Sequence, residues 1–458
     1  MNTEASQTIP VERGWPLLGI LPNLISGGDP FEYLKSIMLK QGDFVQLNIG
    51  TQPVYLVSNP DYLQRILRDN YLNYRKPDMF YNAIKDVARN GLATNSGASW
   101  LRQRRMIQPH LHRKQLVNVF AEMVNSIAEV LDQWEPLAKN AVEIDLGEKM
   151  GVISSNVTIH TLFGRGLLPE TQVAEMGKCV VRLIKYIGET VYSSFLPGWV
   201  PIPGRKQFDE DRLATKKTVQ QIIEKCRQEK EISASLIQML INSVDEEDHQ
   251  AMTEDQLYDE VMTIFVGGYE TTATVLTWLG VIIQNYPEVL EKLHAEIADV
   301  LGSRTPIFED IPRLTYTRKV FMEILRMHTV IPFLPRALNK ADQLGNYRLP
   351  ENALMLVFYH GVHHNPNVWE NPEVFDPERF TPERMAKQHP FAYVPFSAGP
   401  RKCAGDEFVL MEGPLIMAMM LQKYNFNILP NQTFEARIGA TMHPRNGVKG
   451  TFSLRTFA

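Results

Sequence analysis

The chain has 458 residues, of which 44% are hydrophobic and 22% are charged, with a formal net charge of −5. This composition can bury a large core and excludes a disordered, collagen-like or disulfide-scaffold protein. The acidic balance argues against nucleic acid as a partner. The three cysteines, Cys179, Cys226 and Cys403, are far apart in sequence, so we expect a reducing compartment, the cytoplasm, and a cysteine free to act as a ligand.

The N-terminal segment alternates between helical and strand-like patterns. The apolar run from Trp15 to Ile25 is too short and too rich in proline to span a bilayer, so we expect no transmembrane anchor and no signal peptide. Residues 30–40 and 61–69 have helical periodicity, whereas residues 44–49 and 54–57 have β character.

Residues 100 to about 330 follow a helical spacing, which predicts a helix-rich body. The segment 195–204, FLPGWVPIPG, interrupts this pattern because its prolines and glycines disfavour regular structure. Trp100 and Arg104 lie four residues apart and therefore on one face of a helix. Taken alone, this pair indicates only a helix with a solvated basic side.

The most apolar stretch, Val261 to Ile283, predicts a buried helix that contains Gly267-Gly268-Tyr269-Glu270-Thr271-Thr272. Each glycine inside a helix costs about 1 kcal/mol relative to alanine. Threonine can also turn its hydroxyl back onto helix carbonyls, so we predict a local opening or kink. The alternative is close packing of two helices through small residues.

Glu323 and Arg326 lie one turn apart on a predicted helix, where an ion pair forms easily. On an exposed helix such a pair contributes little. Arg336 follows in Pro332-Phe-Leu-Pro335-Arg336, and strand-like patterns return from Ala337 to Tyr359. Together with roughly residues 30–70, residues 337–360 form the predicted β-rich part.

A cluster of histidines raises the alternative of a zinc site, formed by His110, His112, His360, His363 and His364. The spacing H-x-x-H-H, in a predicted strand-to-loop segment, does not match a helical pair four residues apart. No second cluster of ligands follows nearby. We therefore expect loop histidines that make ordinary hydrogen bonds.

The segment from Phe396 to Gly405, FSAGPRKCAG, ends just before a predicted helix. A cysteine at this position meets backbone N–H groups and the positive end of the helix, which favours the metal-binding thiolate. The glycines permit a tight turn beneath a flat cofactor, and Arg401 offers a cation for a cofactor carboxylate. The alternative is a small buried cysteine at the start of a helix.

The spacing F-x-x-G-x-R-x-C-x-G resembles the haem-binding loop of the cytochrome P450 family, and the chain resembles its soluble bacterial-type members. The resemblance implies a mainly α fold with a smaller β-rich part, in a single domain over residues 1–458 with its haem loop at 396–405. Cys403 is then the axial thiolate ligand of haem b and favours O–O bond cleavage. Phe396, Arg401 and Gly405 are the other cofactor-binding residues of this segment.

Further motifs occur in the order that the family requires. Trp100 and Arg104 resemble the W-x-x-x-R pair that bonds a haem propionate, and Arg336 matches an arginine that also reaches a propionate. Pro377-Glu-Arg379-Phe380 supplies the arginine that completes the family's E-x-x-R motif. The resemblance therefore implies a buried structural network of Glu323, Arg326 and Arg379.

The glycine and threonine motif resembles the family's oxygen-activating groove. Gly267 would leave room for dioxygen, while the catalytic pair Thr271 and Glu270 would hold water and relay protons, which is general acid catalysis. The implied activity is hydroxylation or epoxidation of a largely apolar small molecule. Alternatives are an isomerase, a peroxygenase or a non-catalytic haem protein. An isomerase or a sensor does not need the acid and hydroxyl pair, and peroxygenases typically replace it.

The implied electron donor is a ferredoxin or flavodoxin-type protein with its reductase. Residues 102–114 carry five cations and no acid, and Arg401 and Lys402 add two more. The resembled fold implies that these form one cationic patch for an acidic donor. It also implies pocket walls at Met79–Leu92, Phe195–Ile202, Phe265–Thr271, Val330–Leu334 and Met442–Asn446.

Overall fold

The structure is a computed structural model that describes residues 8–26, 29–190, 203–228, 235–437 and 441–455. The helices are α1 (Leu21–Ser26), α2 (Pro30–Gln41), α3 (Pro60–Gln64), α4 (Asp78–Ala88), α5 (Gly97–Ile107), α6 (Arg113–Asp132), α7 (Glu135–Lys139), α8 (Leu146–Phe163), α9 (Glu170–Thr190), α10 (Arg205–Gln228), α11 (Leu236–Ile241), α12 (Glu254–Asn285), α13 (Pro287–Val300), α14 (Thr315–Met327), α15 (Tyr359–His363), α16 (Pro382–Met385) and α17 (Asp406–Lys423). The strands are β1 (Val11–Glu12), β2 (Phe44–Ile49), β3 (Gln52–Val57), β4 (Tyr74–Arg75), β5 (Ile144–Asp145), β6 (Phe333–Leu338), β7 (Asp342–Leu344), β8 (Tyr347–Leu349), β9 (Leu354–Phe358), β10 (Tyr424–Ile428), β11 (Ala436–Arg437), β12 (His443–Pro444) and β13 (Lys449–Leu454).

These elements group into two compact units. The first unit comprises Met1–Phe80, Met322–Cys403 and Thr433–Asn446. The second unit comprises Tyr81–Phe321, Ala404–Gln432 and Gly447–Ala458. Each unit is therefore assembled from segments that are far apart in the sequence.

The first unit contains a six-stranded sheet in the order β1-β2-β3-β9-β6-β4. β2 and β3 form an antiparallel hairpin in which Phe44 pairs with Val57. β9 joins β3 in parallel and β6 in antiparallel orientation. The predicted β-rich part is therefore confirmed, because strands from the N-terminal segment and from residues 333–358 share one sheet.

The core of the first unit forms where alternating strand residues pack against helical segments. Tyr55, Val57 and Met355 belong to one cluster of buried side chains with Leu63 and Tyr74. The predicted helix at residues 30–40 is confirmed as α2, whose N-cap Asp29 accepts hydrogen bonds from two backbone N–H groups. The predicted helical pattern at 61–69 is divided between α3 and a π-helical turn over Arg65–Asp69.

The second unit is mainly helical. α12 is the longest helix in the described ranges, and it begins at a capping box formed by Thr253 and Gln256. α12 packs against α8, α8 packs against α6, and α17 packs against α6, α12 and α13. The predicted helix over Val261–Ile283 is therefore confirmed, although part of it is not buried, and it extends beyond the apolar stretch at both ends.

The C-terminal strands pair in antiparallel orientation. β10 and β13 pair along their length and are joined by β5 in a three-stranded sheet, while β11 pairs with β12. Of the predicted irregular segment 195–204, residues 195–202 lie outside the described residues, so its structure stays a prediction. No helix within the described ranges combines the length and the apolarity needed to cross a bilayer.

Candidate active site

Cys403 lies at the end of a tightly folded loop in the first unit. Its thiol-bearing side chain is exposed, whereas Cys179 and Cys226 are buried. The backbone N–H of Cys403 donates to the carbonyl of Phe396, with an N–O distance of 2.9 Å. Gly399 has a φ of 70°, and a Cβ there would overlap the backbone of Leu67. A glycine is required at this turn because the chain approaches another backbone segment so closely.

Hydrogen bonds from buried groups fix the residues that lead into this loop. The hydroxyl of Tyr359 donates to the hydroxyl of Ser397 at 2.8 Å, and the N–H of Val394 donates to Nε2 of His363 at 3.0 Å. Nδ1 of the same ring contacts the hydroxyl of Thr329 at 2.8 Å. Burial, followed by the nearby guanidinium of Arg326, holds the pKa of His363 well below its usual value. The neutral ring can therefore accept and donate one hydrogen bond each.

The other histidines of this segment also lie inside the first unit. His360 and His363 belong to the short helix α15, which corrects the expected strand-to-loop placement. His364 contacts a carboxyl oxygen of Glu373 through Nδ1 and the carbonyl of Met327 through Nε2, both at 3.0 Å. Among the described residues, no group of three or more histidines, cysteines and carboxylates is arranged to hold a metal ion.

Glu323, Arg326 and Arg379 form a fully buried charge network in the first unit. The Glu323 carboxylate accepts from Arg326 Nε and Nη2 at 2.7 and 2.8 Å, and from Arg379 Nε at 3.3 Å. It also accepts from the backbone N–H of Asp376 at 2.9 Å. The remaining donors of both arginines bond to carbonyls, including those of His363 and residues 370–374. A pair that would contribute little on a surface is here shielded from water.

Arg336 and Arg401 are the remaining arginines of the candidate site in the first unit. Arg336 lies on β6 and is buried, with 4% of its surface exposed. Its Nη1 donates to the carbonyl of Pro335 at 2.9 Å. Arg401 lies in the short helical turn Gly399–Arg401, two residues before Cys403. Both side chains carry guanidinium donors that suit a carboxylate.

In the second unit, α12 contains a stretch that is only partly buried, residues 263–271, which we call the open stretch; it lies between two buried stretches. Residues 257–262 and 272–283 are all buried, whereas residues 263–271 are only partly buried except for Phe265, and Gly267 is exposed. A Cβ at Gly267 would meet no atom within 4 Å. The stretch includes apolar side chains and is only partly buried although it lies in the middle of a core helix, so this face of α12 is available to an apolar ligand.

Side-chain hydroxyls bond to the carbonyls of this open stretch. The hydroxyl of Thr271 donates to the carbonyl of Gly267 at 2.7 Å, and that of Thr274 donates to the carbonyl of Glu270 at 2.8 Å. Ser154 of α8 donates to the carbonyl of Tyr269 at 3.0 Å. The helix remains continuous through the motif. The predicted opening therefore takes the form of an exposed face, where carbonyls accept a hydrogen bond from a hydroxyl in addition to the helical one.

A buried acid that the sequence analysis did not single out lies beside this stretch. Glu412 of α17 is fully buried, and its Oε2 accepts from the hydroxyl of Thr272 at 2.9 Å. Its Oε1 has no hydrogen-bond partner. Burial raises the pKa of Glu412 to about 8, although the Thr272 bond lowers it. The only sequence signal was a single acid within an apolar helical run, a position where acids are seldom buried without a partner.

Trp100 and Arg104 lie on α5, where Trp100 is buried. Nε of Arg104 donates to the side chain of Gln108 at 2.6 Å. The prediction of a cationic patch is wrong for two of its residues, because both form ion pairs with acids. Arg102 is paired with Asp248 at 2.6 Å, and Arg105 with Asp245 at 3.0 Å and with Glu247 at 2.9 Å. Acids that are distant in sequence thus neutralise these cations.

The structure brings the candidate residues together in separate groups, each within one unit. In the first unit, Phe396, Arg401 and Cys403 share one loop. In the second unit, Gly267, Glu270 and Thr271 share the open stretch of α12. Gly405 directly precedes α17, and a Cβ there would meet no atom within 4 Å.

These groups fit a haem. An exposed thiol suits the iron, and an indole N–H and guanidinium groups suit the propionates. Backbone bordered by open space at Gly267 and Gly405 leaves room for a flat ring and its ligand.

The comparisons with known proteins agree with this architecture. The family model described as Cytochrome P450 matches residues 9–447. A relative from Streptomyces melanosporofaciens, cyclooctatin synthase, is 30% identical over 427 residues, covering 93% of this chain and 91% of that protein. A second protein of that organism, cyclooctat-9-en-7-ol 5-monooxygenase, is 28% identical and covers 94% of each chain.

Further similarities extend to a plant enzyme and to solved structures. The chloroplastic carotene epsilon-monooxygenase of Arabidopsis thaliana is 28% identical, over 92% of this chain and 81% of that protein. The crystal structure of the cytochrome P450DA haem domain has a TM-score of 0.87 at 20% identity, covering 99% of both chains, and so shows the same fold. The chain therefore belongs to the cytochrome P450 family. It is a P450 monooxygenase with the mainly α fold of that family.

Proposed function

We propose that this P450 hydroxylates or epoxidises a largely apolar small molecule, with Cys403 as the axial ligand of haem b. The single observation that carries the proposal is that Cys403 is exposed, in a loop fixed by the hydrogen bond from its backbone N–H to the Phe396 carbonyl, three residues before α17. The other two cysteines are buried, so neither offers its sulfur to a cofactor. The family match over residues 9–447 supports a single P450 domain.

The haem, when bound, supplies the iron centre at which dioxygen is activated. Trp100, Arg104 and Arg336 would bind its propionates, because an indole N–H and guanidinium groups donate hydrogen bonds to carboxylates. The network around Glu323 would hold the polypeptide beneath the Cys403 loop in one conformation, since Arg326 bonds to the carbonyl of His363, which in turn bonds to Val394.

The open stretch of α12 would supply the protons. Thr271 holds its hydroxyl on the carbonyl of Gly267, so the oxygen of that hydroxyl can accept a hydrogen bond from water. Glu270 is one residue away and partly exposed, so its carboxyl can exchange protons with the same water. Gly267 leaves the space that water and dioxygen need. An acid and a hydroxyl at this spacing favour a monooxygenase over an isomerase or a haem sensor.

The open stretch of α12 and the relatives support a proposal for the class of substrate. The open stretch of α12 presents Ile264 and Val266 beside its glycines, which suits an apolar ligand. Two relatives are named for the oxygenation of cyclooctat-9-en-7-ol and of carotene, which are mostly hydrocarbon. We therefore propose a largely hydrocarbon substrate, either a hydrocarbon or an alcohol. Binding of cyclooctat-9-en-7-ol, read by the Soret shift and compared with a fatty acid, tests this assignment.

The electron donor would be a ferredoxin or flavodoxin-type protein with its reductase. Because Arg102 and Arg105 are paired with acids, a charge-steered donor would depend on other cations, such as the exposed Lys114. The cytoplasmic location expected from the cysteine content stays a prediction.

The absorption of the reduced carbon monoxide complex tests the ligand assignment. Cys403→His should abolish the thiolate-specific band, because an imidazole donates less electron density to iron. Cys179→Ser and Cys226→Ser are matched controls that should leave the band unchanged. A Cys403→His protein that keeps the parental band would show that another group is the ligand.

A further inference from the structure

The turn Arg89–Thr94, between α4 and α5, is bonded to α12 by two carboxyl groups. The backbone N–H of Leu92 donates to Oε2 of Glu260 at 2.9 Å. The backbone N–H of Asn90 donates to Oδ2 of Asp259 at 3.2 Å. Two consecutive residues of one helix thus hold two alternate residues of the turn.

The same turn is also held through side chains and by close packing. Arg89 pairs with Asp255 at 2.8 Å and lies 3.3 Å from Oδ1 of Asp259. A Cβ at Gly91 would overlap the hydroxyl of Thr263 and the carbonyl of Asp259. The turn therefore rests directly on the backbone of α12, and only glycine fits at its point of contact.

Burial of the two carboxyl groups costs desolvation free energy, which the hydrogen bonds from the turn partly offset. Asp259 is 4% exposed and Glu260 is fully buried, and Oε1 of Glu260 has no hydrogen-bond partner. Burial raises the pKa of Glu260 to about 8, with Asp259 adding to the shift and the Leu92 bond opposing it. A buried acid with so few partners is unfavourable for stability alone, so its position calls for another role.

The position of the turn along α12 indicates that role. Thr263, on which Gly91 rests, is the first residue of the open stretch 263–271 and lies one helical turn before Gly267. The turn therefore contacts α12 at the N-terminal end of the open stretch. Leu92 itself is partly exposed.

We propose that Asp259 and Glu260 are positioning residues that hold the turn Arg89–Thr94 as one wall of the substrate pocket and thereby limit the size of the substrate. This proposal rests on the proposed function, because it takes the open stretch of α12 as the floor of that pocket. The two acids act through the turn and contact no substrate. Loss of either bond should let the turn move away from α12.

Hydrogen exchange of the turn amides in the haem-loaded protein tests the hydrogen bonds to Asp259 and Glu260 without a measurement of activity. Glu260→Leu removes the acceptor but keeps the volume, so the amide of Leu92 should exchange at least about tenfold faster. Glu260→Gln keeps an acceptor oxygen and should exchange within about threefold of the parent. Glu254→Gln is the matched control, because Glu254 lies on the same helix but pairs with Arg227 instead of the turn.

Gly91→Ala tests the same wall by a change in the turn instead of in α12, and serves if Glu260→Leu does not fold. The added Cβ forces the turn off Thr263 without altering either acid. We expect faster exchange confined to residues 89–94, with the amides of α17 unchanged. Parental exchange of the Leu92 amide in Gly91→Ala, or in a folded Glu260→Leu, would overturn the proposal.

Two azole ligands of different size distinguish an effect on the wall from an effect on the haem site. Imidazole is small, so we expect its Kd to stay within about twofold of the parent in Glu260→Leu and Gly91→Ala. Clotrimazole is bulky, and its Kd should change by about fivefold or more. Equal behaviour of both ligands would overturn the size-limiting role. Failure of the proposed function is separate, because a missing thiolate band would leave the exchange result intact.

Discussion

Glu323→Leu is expected to destabilise the first unit strongly. The substitution keeps most of the side-chain volume but removes a carboxylate that accepts four hydrogen bonds, three of them from the arginines Arg326 and Arg379. Arg379 would keep its bonds to the carbonyls of residues 370, 371 and 374. Nε of Arg326 would lose its carboxylate in an environment without water.

The magnitude follows from the burial of the pair. The side chains of Glu323 and Arg326 are both 0% exposed, so solvent cannot compensate for the lost partner. Removing one member of a buried ion pair costs about 3–5 kcal/mol. The total stability of a domain is only about 5–15 kcal/mol, so a large part of it would be lost. Glu323→Gln keeps one acceptor oxygen and isolates the contribution of the charge.

Urea unfolding of the haem-loaded protein, followed by far-ultraviolet circular dichroism, measures this effect. We expect a lower unfolding midpoint and an unchanged slope for Glu323→Leu, because the surface exposed on unfolding stays the same. Glu135→Leu is the control, since Glu135 and Lys139 form a solvent-exposed helical pair that should not shift the midpoint. A parental midpoint for Glu323→Leu would refute the assignment of a stabilising role to the network.

Four further variants probe the proton relay, the buried acid Glu412 and the docking of the electron donor. Thr271→Ala should divert electrons from product to hydrogen peroxide, and Glu270→Gln should slow product formation by at most roughly 10²–10⁴-fold; unchanged peroxide-to-product ratios in both would contradict the relay. The pKa of Glu412 is raised from 4.5 to about 8 on folding, so its stabilising contribution is present below about pH 4.5 and is lost as the pH rises through 8. Glu412→Gln should therefore flatten the decline of the thermal midpoint over this range, and an equally steep decline would exclude the effect. Lys114→Glu should slow the first electron transfer in a salt-dependent way while substrate-induced spectral shifts persist; Arg105→Glu is unsuitable because it breaks the pair with Asp245.

Local patterns in the sequence were sufficient to predict a helix-rich body, its central apolar helix and the β-rich part. The apolar stretch Val261 to Ile283 indicated α12. The β character of residues 44–49 and 54–57 indicated β2 and β3, whose antiparallel pairing the structure then showed. The spacing of residue types in the Cys403 loop was enough to indicate its family. These features depend on neighbours within a few residues, which a single sequence contains.

Contacts between distant residues were decided by the tertiary structure alone. Glu412 and Thr272 are 140 residues apart, and Glu260 and Leu92 are 168 apart, so no local period links them. The pairing of Arg105 with Asp245 turned an expected docking cation into a structural one.

Local elements could be predicted and long-range contacts could not, because the two depend on different interactions. A helix or a turn forms from backbone bonds between near neighbours, so residue types at fixed spacings determine it. The protonation of an acid and the availability of a cation depend on burial and on the charges that folding brings close. The sequence by itself therefore indicated the family, the helix-rich body with its β-rich part, and the thiol ligand that we propose. Only the tertiary structure decided which acids are buried, which cations are paired and which part of α12 is open.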